Sequence, residues 1–249
     1  MSLALETIGL NRRFGGIAAV NAVSLRIEAG ARYALIGPNG AGKTTLINLL
    51  TGVLRPTSGR ILLHGTDVTR LRTDRRVGLG LARTFQINQL FPDMTPLEAV
   101  GLVVAHRLDG AVWWRATGRS AAAIDEVAAI LARFELLDVM GHRTAVLSYG
   151  KRRLLEIALA IACRPRVLLL DEPAAGVPEA GREEILATIA ALPRDITVLL
   201  IEHDMDLVFR FADRIAVLAD GALLTEGTVE EIARDPRVRA VYLGEDGDG

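Results

Sequence analysis

The chain has 249 residues, 50% of them apolar, with 29 Lys and Arg against 30 Asp and Glu for a formal net charge of −1. That composition supports one large α/β domain or two small ones, and argues against a disordered chain or a mainly electrostatic nucleic-acid binder. Cys163 is the single cysteine, which excludes an intrachain disulfide and a Cys-based zinc site and points to a reducing compartment.

The N-terminus lacks a basic stretch followed by a long apolar one, so it is not read as a secretory signal. Greasy stretches such as 154–163 fall short of the ~20 residues that span a bilayer. Membrane work would need a second chain.

Residues 3–10 and 22–27 read as strands. The apolar run 31–37 feeds a glycine-rich loop, and 43–51 is expected as a helix. Residues 60–64 and 81–85 are further expected strands. A helical block follows. Residues 96–106 open with Pro96 in the first turn; 120–137 places Ile124, Val127, Leu131 and Phe134 on one face, with Ser120 as N-cap. Between them, 107–119 carries both tryptophans and reads as a loop or helical hairpin turn. From Lys151 onward, helices at 151–163, 178–192 and 204–211 alternate with strands at 167–170, 197–201 and 214–218. A strand at 222–226 and two short helices complete the chain. Short apolar strands alternating with helices imply a parallel sheet covered on both faces. The acidic, glycine-rich tail 244–249 is expected to be flexible.

The strongest local signal is Gly37-Pro38-Asn39-Gly40-Ala41-Gly42-Lys43-Thr44-Thr45. It fits the P-loop pattern G-x-x-x-x-G-K-[ST], between an apolar strand and a helix. Glycines let successive backbone N–H groups converge on phosphate oxygens, and the helix N-terminus adds a favourable dipole. Lys43 would reach the β- and γ-phosphates, and the Thr44 hydroxyl would ligate Mg²⁺. Only Lys43 and Lys151 are lysines in a chain otherwise using arginine, which suits a compact point charge at position 43. A second apolar strand, Val167-Leu168-Leu169-Leu170, ends in Asp171 and Glu172. Asp171 has the chemistry of a group holding Mg²⁺ through water, and Glu172 that of a group orienting an attacking water.

With these residues in place the chain resembles the nucleotide-binding subunit of an ABC transporter. The resemblance covers residues 3–243. It is carried by the P-loop, Gln86 in Arg83-Thr84-Phe85-Gln86, Leu147-Ser148-Tyr149-Gly150-Lys151, Asp171-Glu172-Pro173, and His203 in Ile201-Glu202-His203-Asp204. It implies an α/β fold: a RecA-like P-loop NTPase core with an antiparallel β lobe (3–86 and 164–243) and a helical subdomain at about 87–163. ATP and Mg²⁺ are the implied cofactors. Asn39, Gly40, Ala41, Gly42, Lys43, Thr44 and Thr45 would bind nucleotide, and Phe14 would stack on adenine. Gln86 would sense Mg²⁺ and the attacking water, joining Thr44 and Asp171 at the metal. His203 would contact the γ-phosphate, and Glu172, His203 and Gln86 form the implied catalytic set. Ser148 and Gly150 resemble the signature motif, which closes over the nucleotide of the other subunit in a head-to-tail dimer.

Three departures stand out. Tyr149 and Lys151 replace the commoner Gly and Gln of the signature, and Pro178 stands where many relatives place an aspartate. Lys151 either adds charge near the γ-phosphate or is a solvated helix start.

Within that family, Arg13-Phe14-Gly15-Gly16, Ala82-Arg83-Thr84-Phe85-Gln86, Phe91-Pro92-Asp93-Met94-Thr95 and the C-terminal stretch resemble branched-chain amino acid importers. The insert around Trp113 and Trp114 matches their larger ATPase type. This implies two transmembrane permeases, a second ABC ATPase as homo- or heterodimer partner, and, indirectly, a solute-binding protein. It implies no nucleic acid, and a peripheral place on the cytoplasmic face of the inner (plasma) membrane. The cargo would be branched-chain amino acids or a related small polar, amide or aromatic solute. Residues 87–98, with Leu90, Phe91 and Met94, are the expected permease contact; alternatively these side chains pack inside the helical lobe. The competing function is a soluble ABC ATPase acting on nucleic acid or ribosomes.

Overall fold

A computed structural model of the chain describes residues 2–84, 90–109 and 121–243. In chain order the described strands and helices run β1 (Leu3–Phe14), β2 (Ile17–Glu28), β3 (Arg32–Ile36), α1 (Lys43–Thr51), β4 (Ser58–Leu63) and β5 (Thr66–Asp67). Next come α2 (Thr73–Gly78), β6 (Leu81–Arg83), α3 (Pro96–Asp109), α4 (Ala121–Arg133), α5 (Tyr149–Ala162), β7 (Val167–Asp171) and α6 (Glu179–Ala190). The last are β8 (Thr197–Ile201), α7 (Met205–Phe211), β9 (Arg214–Ala219), β10 (Ala222–Gly227), α8 (Val229–Arg234) and α9 (Pro236–Leu243).

The chain divides into two compact units, one of residues 1–83, 166–172 and 193–249, the other of 84–165 and 173–192. The helix at 179–190 thus belongs with the helical block, where it packs on α5, although the sequence places it in the parallel core.

The first unit holds both sheets. One is antiparallel, in the order β2-β1-β4-β5. The other runs β10-β9-β3-β8-β7-β6, parallel from β9 to β6, with β10 antiparallel at its edge. Every residue of β3, β7 and β8 is buried, as the centre of a sheet covered on both faces requires. The period of two splits β3 and β9 between two cores. Leu35, Leu169, Leu199 and Leu218 face Leu5, Leu25 and Ile61 of the antiparallel sheet and Leu46 and Leu50 of α1. Ala34, Ile36, Ile215 and Val217 face Val208 of α7, Ile232 of α8 and Val238 of α9. Each fully buried leucine contributes roughly 2 kcal/mol.

Helix α1 ends on Gly52, which takes the left-handed conformation with its N–H donating to Leu49 O. Arg76 of α2 finishes the cap. Its Nη1 donates to Leu49 O at 2.7 Å and Leu50 O at 2.6 Å, its Nε to Leu71 O and its Nη2 to Thr69 O. Burial lowers the Arg76 pKa to about 10.

In the second unit, α3 opens with a capping box. Glu98 Oε2 accepts from Thr95 N at 2.8 Å, and Thr95 Oγ1 accepts from Glu98 N at 3.2 Å. Helix α4 buries Ala123, Val127, Ile130 and Leu131. Ile124, expected on that face, is 57% exposed; it sits at the edge of the apolar stripe and lines a groove of about 750 Å³ with Leu97, Leu102 and Val127. The expected N-cap Ser120 lies outside the described residues. The helix stops at Arg133, short of Leu137, because Glu135 turns to φ 52° and Leu136 N donates back to Leu131 O.

Candidate functional site

Three adjacent parallel strands deliver the sequence-predicted groups to one edge of the first unit. In the order β3-β8-β7, the phosphate loop follows β3, His203 follows β8, and Asp171 and Glu172 end β7. All three sets leave the carboxyl ends of their strands, where open α/β sheets bind ligands.

Residues 37–42 form the loop between β3 and α1. Gly42 caps α1 at φ 97°, and a Cβ there would lie 2.3 Å from Ala19 O of β2. A Cβ on Gly37 would lie 2.2 Å from Leu218 O. Glycine at both positions lets the loop lie flat against its neighbours, so the turn is held by backbone contact. A Cβ on Gly40 would meet no atom within 4 Å, so that part of the loop borders open space. Lys43 Nζ curls over the loop, donating to Gly37 O and to Pro38 O at 2.9 Å. A cation above α1's first turn, with backbone N–H groups beneath, suits a polyphosphate.

Glu172 is placed with unusual backbone geometry. Its φ is +45°, a left-handed conformation costing of order 1 kcal/mol for a non-glycine residue. Its N–H still donates to Ile201 O at 3.0 Å, closing the last β7–β8 pair, Asp171 with Ile201. This brings Glu172 Oε1 to 3.7 Å from His203 Nδ1, with Glu202 Oε2 at 3.9 Å from the same nitrogen.

Asp171 is 3% exposed and ion-paired: Arg83 Nη2 reaches its Oδ2 at 2.7 Å, and Arg83 Nη1 donates to Asn48 Oδ1 at 2.7 Å. Sequence reasoning missed both partners. The available signal was Arg83 itself, a charge closing the otherwise apolar strand Leu81-Ala82-Arg83. For Mg²⁺, the Thr44 hydroxyl and the Asp171 carboxylate are hard oxygen donors of the right kind. Among the described residues no group of three His, Cys, Asp or Glu could hold a metal alone. The donor set thus fits an ion that completes its shell with phosphate oxygens and water.

Phe14 is half-exposed near the β1–β2 turn, and the Arg12 guanidinium stacks 4.5 Å from its ring centroid. Asn39, Ala41 and Thr45 lie in or just after the loop. Gln86 lies outside the described residues, as do Trp113 and Trp114.

The signature residues sit in the second unit. Ser148 is the N-cap of α5, its Oγ accepting from Lys151 N at 3.3 Å, and nothing lies within 4 Å of a Cβ built on Gly150. Tyr149 Oη donates to Ala175 O at 2.9 Å, which ties this helix start to the turn after Glu172. Lys151 Nζ donates to Glu135 O and lies 3.6 Å from Asp138 Oδ1, so it braces the helical unit. Pro178 is the N-cap residue of α6.

Comparison with known proteins places this geometry. An ABC transporter family model matches residues 20–175, and a branched-chain amino acid ATP-binding cassette transporter model matches residues 222–248. The chain is 44% identical to the high-affinity branched-chain amino acid transport ATP-binding protein BraF of Pseudomonas aeruginosa, over 97% of this chain and 98% of that protein. It is 41% identical to the corresponding protein LivG of Escherichia coli K12, over the same shares. A crystal structure of a nucleotide-free ATP-binding cassette from an ABC transporter superposes with a TM-score of 0.83 at 29% identity, covering 97% of this chain and 99% of that one. The ADP conformation of an ABC-transporter cassette gives the same TM-score at 30% identity, covering 98% and 99%. Phosphate loop, acidic strand end and near full-length kinship agree: the chain belongs to the ATP-binding cassette family and is a transport ATPase.

Proposed function

We propose that this ATPase energises uptake of branched-chain amino acids, or of a related small polar, amide or aromatic solute, through separate membrane permeases. The observation that carries the reading is identity above 40% over nearly the whole chain to two branched-chain amino acid transport ATP-binding proteins. The same kinship favours transport over action on nucleic acid or ribosomes. No described helix is long and apolar enough to cross a membrane, so the permeases would be other chains. The protein would sit peripherally on the cytoplasmic face of the inner membrane. It would pair head to tail with a second ABC ATPase, identical or not, and a solute-binding protein would deliver cargo. As domains, we assign a single cassette at 3–243.

The site supports an in-line hydrolysis. The loop amides of 39–45 and Lys43 would hold the β- and γ-phosphates, with Phe14 against the adenine. Thr44, Asp171 and Gln86 would hold Mg²⁺, which when bound neutralises charge on the phosphate oxygens. Glu172 would orient water toward the γ-phosphate, and His203, 3.7 Å away, would contact that phosphate. Ser148 and Gly150 at the start of α5 would face the partner's nucleotide.

The test is capture of tagged Glu172→Gln chain with ATP from its host's membranes, followed by mass spectrometry. Two multi-spanning permeases and a second ATPase are expected. Recovery of ribosomes or nucleic-acid proteins instead would overturn the transport assignment.

A further inference from the structure

Arg83 links Asp171, assigned to the metal, to Asn48 on the helix that carries Thr44. Its guanidinium donates in two directions, through Nη2 to Asp171 Oδ2 and through Nη1 to Asn48 Oδ1, each at 2.7 Å. Asn48 lies on α1 four residues after Thr44, so the two side chains leave the same face of that helix. Asp171 ends β7, which pairs in parallel with β6, Arg83 standing opposite Leu169. One planar fork therefore joins the helix that carries Thr44 to the strand that carries Asp171. The fork is sheltered: the Arg83 side chain is 11% exposed, and its Nε is buried without a hydrogen-bond partner among the described residues. Among the described residues its hydrogen bonds are the two from Nη.

A lysine could not make this link. A single ammonium on a flexible stem can neutralise Asp171, but it lacks a rigid pair of donors aimed at two separate acceptors. Groups that orient a metal's ligands commonly change its affinity by about tenfold or more when removed.

We propose that Arg83 is a positioning residue of the metal site, holding Thr44 and Asp171 at the spacing that Mg²⁺ bound to nucleotide requires. The proposal rests on the assignment of Thr44 and Asp171 as metal-holding residues. Arg83 is not itself a ligand. It acts through the orientation of the Asp171 carboxylate and through the placement of α1.

The experiment uses the full chain loaded with the non-hydrolysable analogue AMP-PNP, with Mn²⁺ as the probe and free Mn²⁺ counted by electron paramagnetic resonance. Nucleotide affinity is measured separately in EDTA. Arg83→Lys and Asn48→Ala are each expected to weaken Mn²⁺ binding by about tenfold while metal-free nucleotide affinity changes less than about twofold. Asn48→Ala keeps the buried Arg83–Asp171 pair, so it carries the test even if substitution of Arg83 harms folding. Mn²⁺ affinity that is unchanged or tighter in Asn48→Ala, or wild-type in a folded Arg83→Lys chain, would overturn the strut. Thr44→Val and Asp171→Asn separate the two levels. If these also bind Mn²⁺ normally, the metal-site assignment fails and the strut with it. If they lose Mn²⁺ while the Arg83 and Asn48 variants keep it, the strut alone fails.

Discussion

His203 Nδ1 lies 3.7 Å from Glu172 Oε1, and each residue stands just past the carboxyl end of one of two neighbouring parallel strands. The imidazole is 65% exposed and the carboxylate 29%. The pair therefore opens toward solvent, where a water and a terminal phosphate can enter. Glu172 adopts a left-handed backbone there, at a local cost of order 1 kcal/mol. Glu172→Gln preserves shape and removes the basic carboxylate. ATP binding should persist, while turnover falls at least about tenfold. Single-turnover hydrolysis checks this, and near-normal turnover would remove Glu172 from the water-orienting role.

Lys43 reaches back over its own loop to the carbonyls of Gly37 and Pro38. The charge is held where phosphates would sit even before they arrive. Lys43→Ala should weaken ATP affinity by at least about tenfold, as loss of a charge-assisted contact implies. Titration with a fluorescent ATP analogue measures it; unchanged affinity would take Lys43 out of the site.

Phe91 is 68% exposed at the start of the helical unit, in the segment assigned to permease contact. Of the two sequence readings for these side chains, internal packing does not hold for Phe91, and we propose it as a permease contact. Phe91→Asp should leave ATP binding intact and abolish co-purification of the permeases from membranes. Retained permeases would move the contact elsewhere, with the groove beside Leu97 and Ile124 as the next place to probe.

Arg76 is a structural prediction. Its guanidinium satisfies four main-chain carbonyls, including two from the last turn of the phosphate-loop helix. A positive charge there also complements the helix dipole. Arg76→Met would remove a donor from each of those carbonyls, leaving Leu49 O only the Gly52 N–H, at about 3 kcal/mol. Thermal unfolding should shift down by several degrees, and an unchanged midpoint would show that water replaces the guanidinium.

The phosphate loop, the acidic strand end and most of the strand-helix alternation were legible because each is written in contiguous residues. Apolar runs such as 167–170 become central strands for lack of any polar face. Arg76 and Arg83 were not legible. Arginine is normally a surface residue, and Leu49, Leu50, Asn48 and Asp171, four of their acceptors, are distant in sequence. The same limit hid the short helix 73–78, whose polar sequence Thr-Asp-Arg-Arg-Val-Gly shows no apolar stripe. Strand β1 runs to Phe14 rather than ending at Leu10, because the hairpin pairs Arg13 with Ala18 although polar side chains interrupt the alternation. The sheet read as parallel has an antiparallel edge, since the tight turn after Ala219 folds β10 back on β9.

Arginine replaces lysine almost everywhere in this chain, and the two lysines that remain both hold backbone carbonyls, one at the phosphate loop and one in the helical unit. Amine-directed chemistry therefore has few addresses besides the α-amino group. Acylation of the native protein, read by peptide mass, becomes a two-position occupancy meter. Nucleotide should shield Lys43 directly, while Lys151, beside the signature residues Ser148 and Gly150, should change only when a partner's nucleotide closes over them.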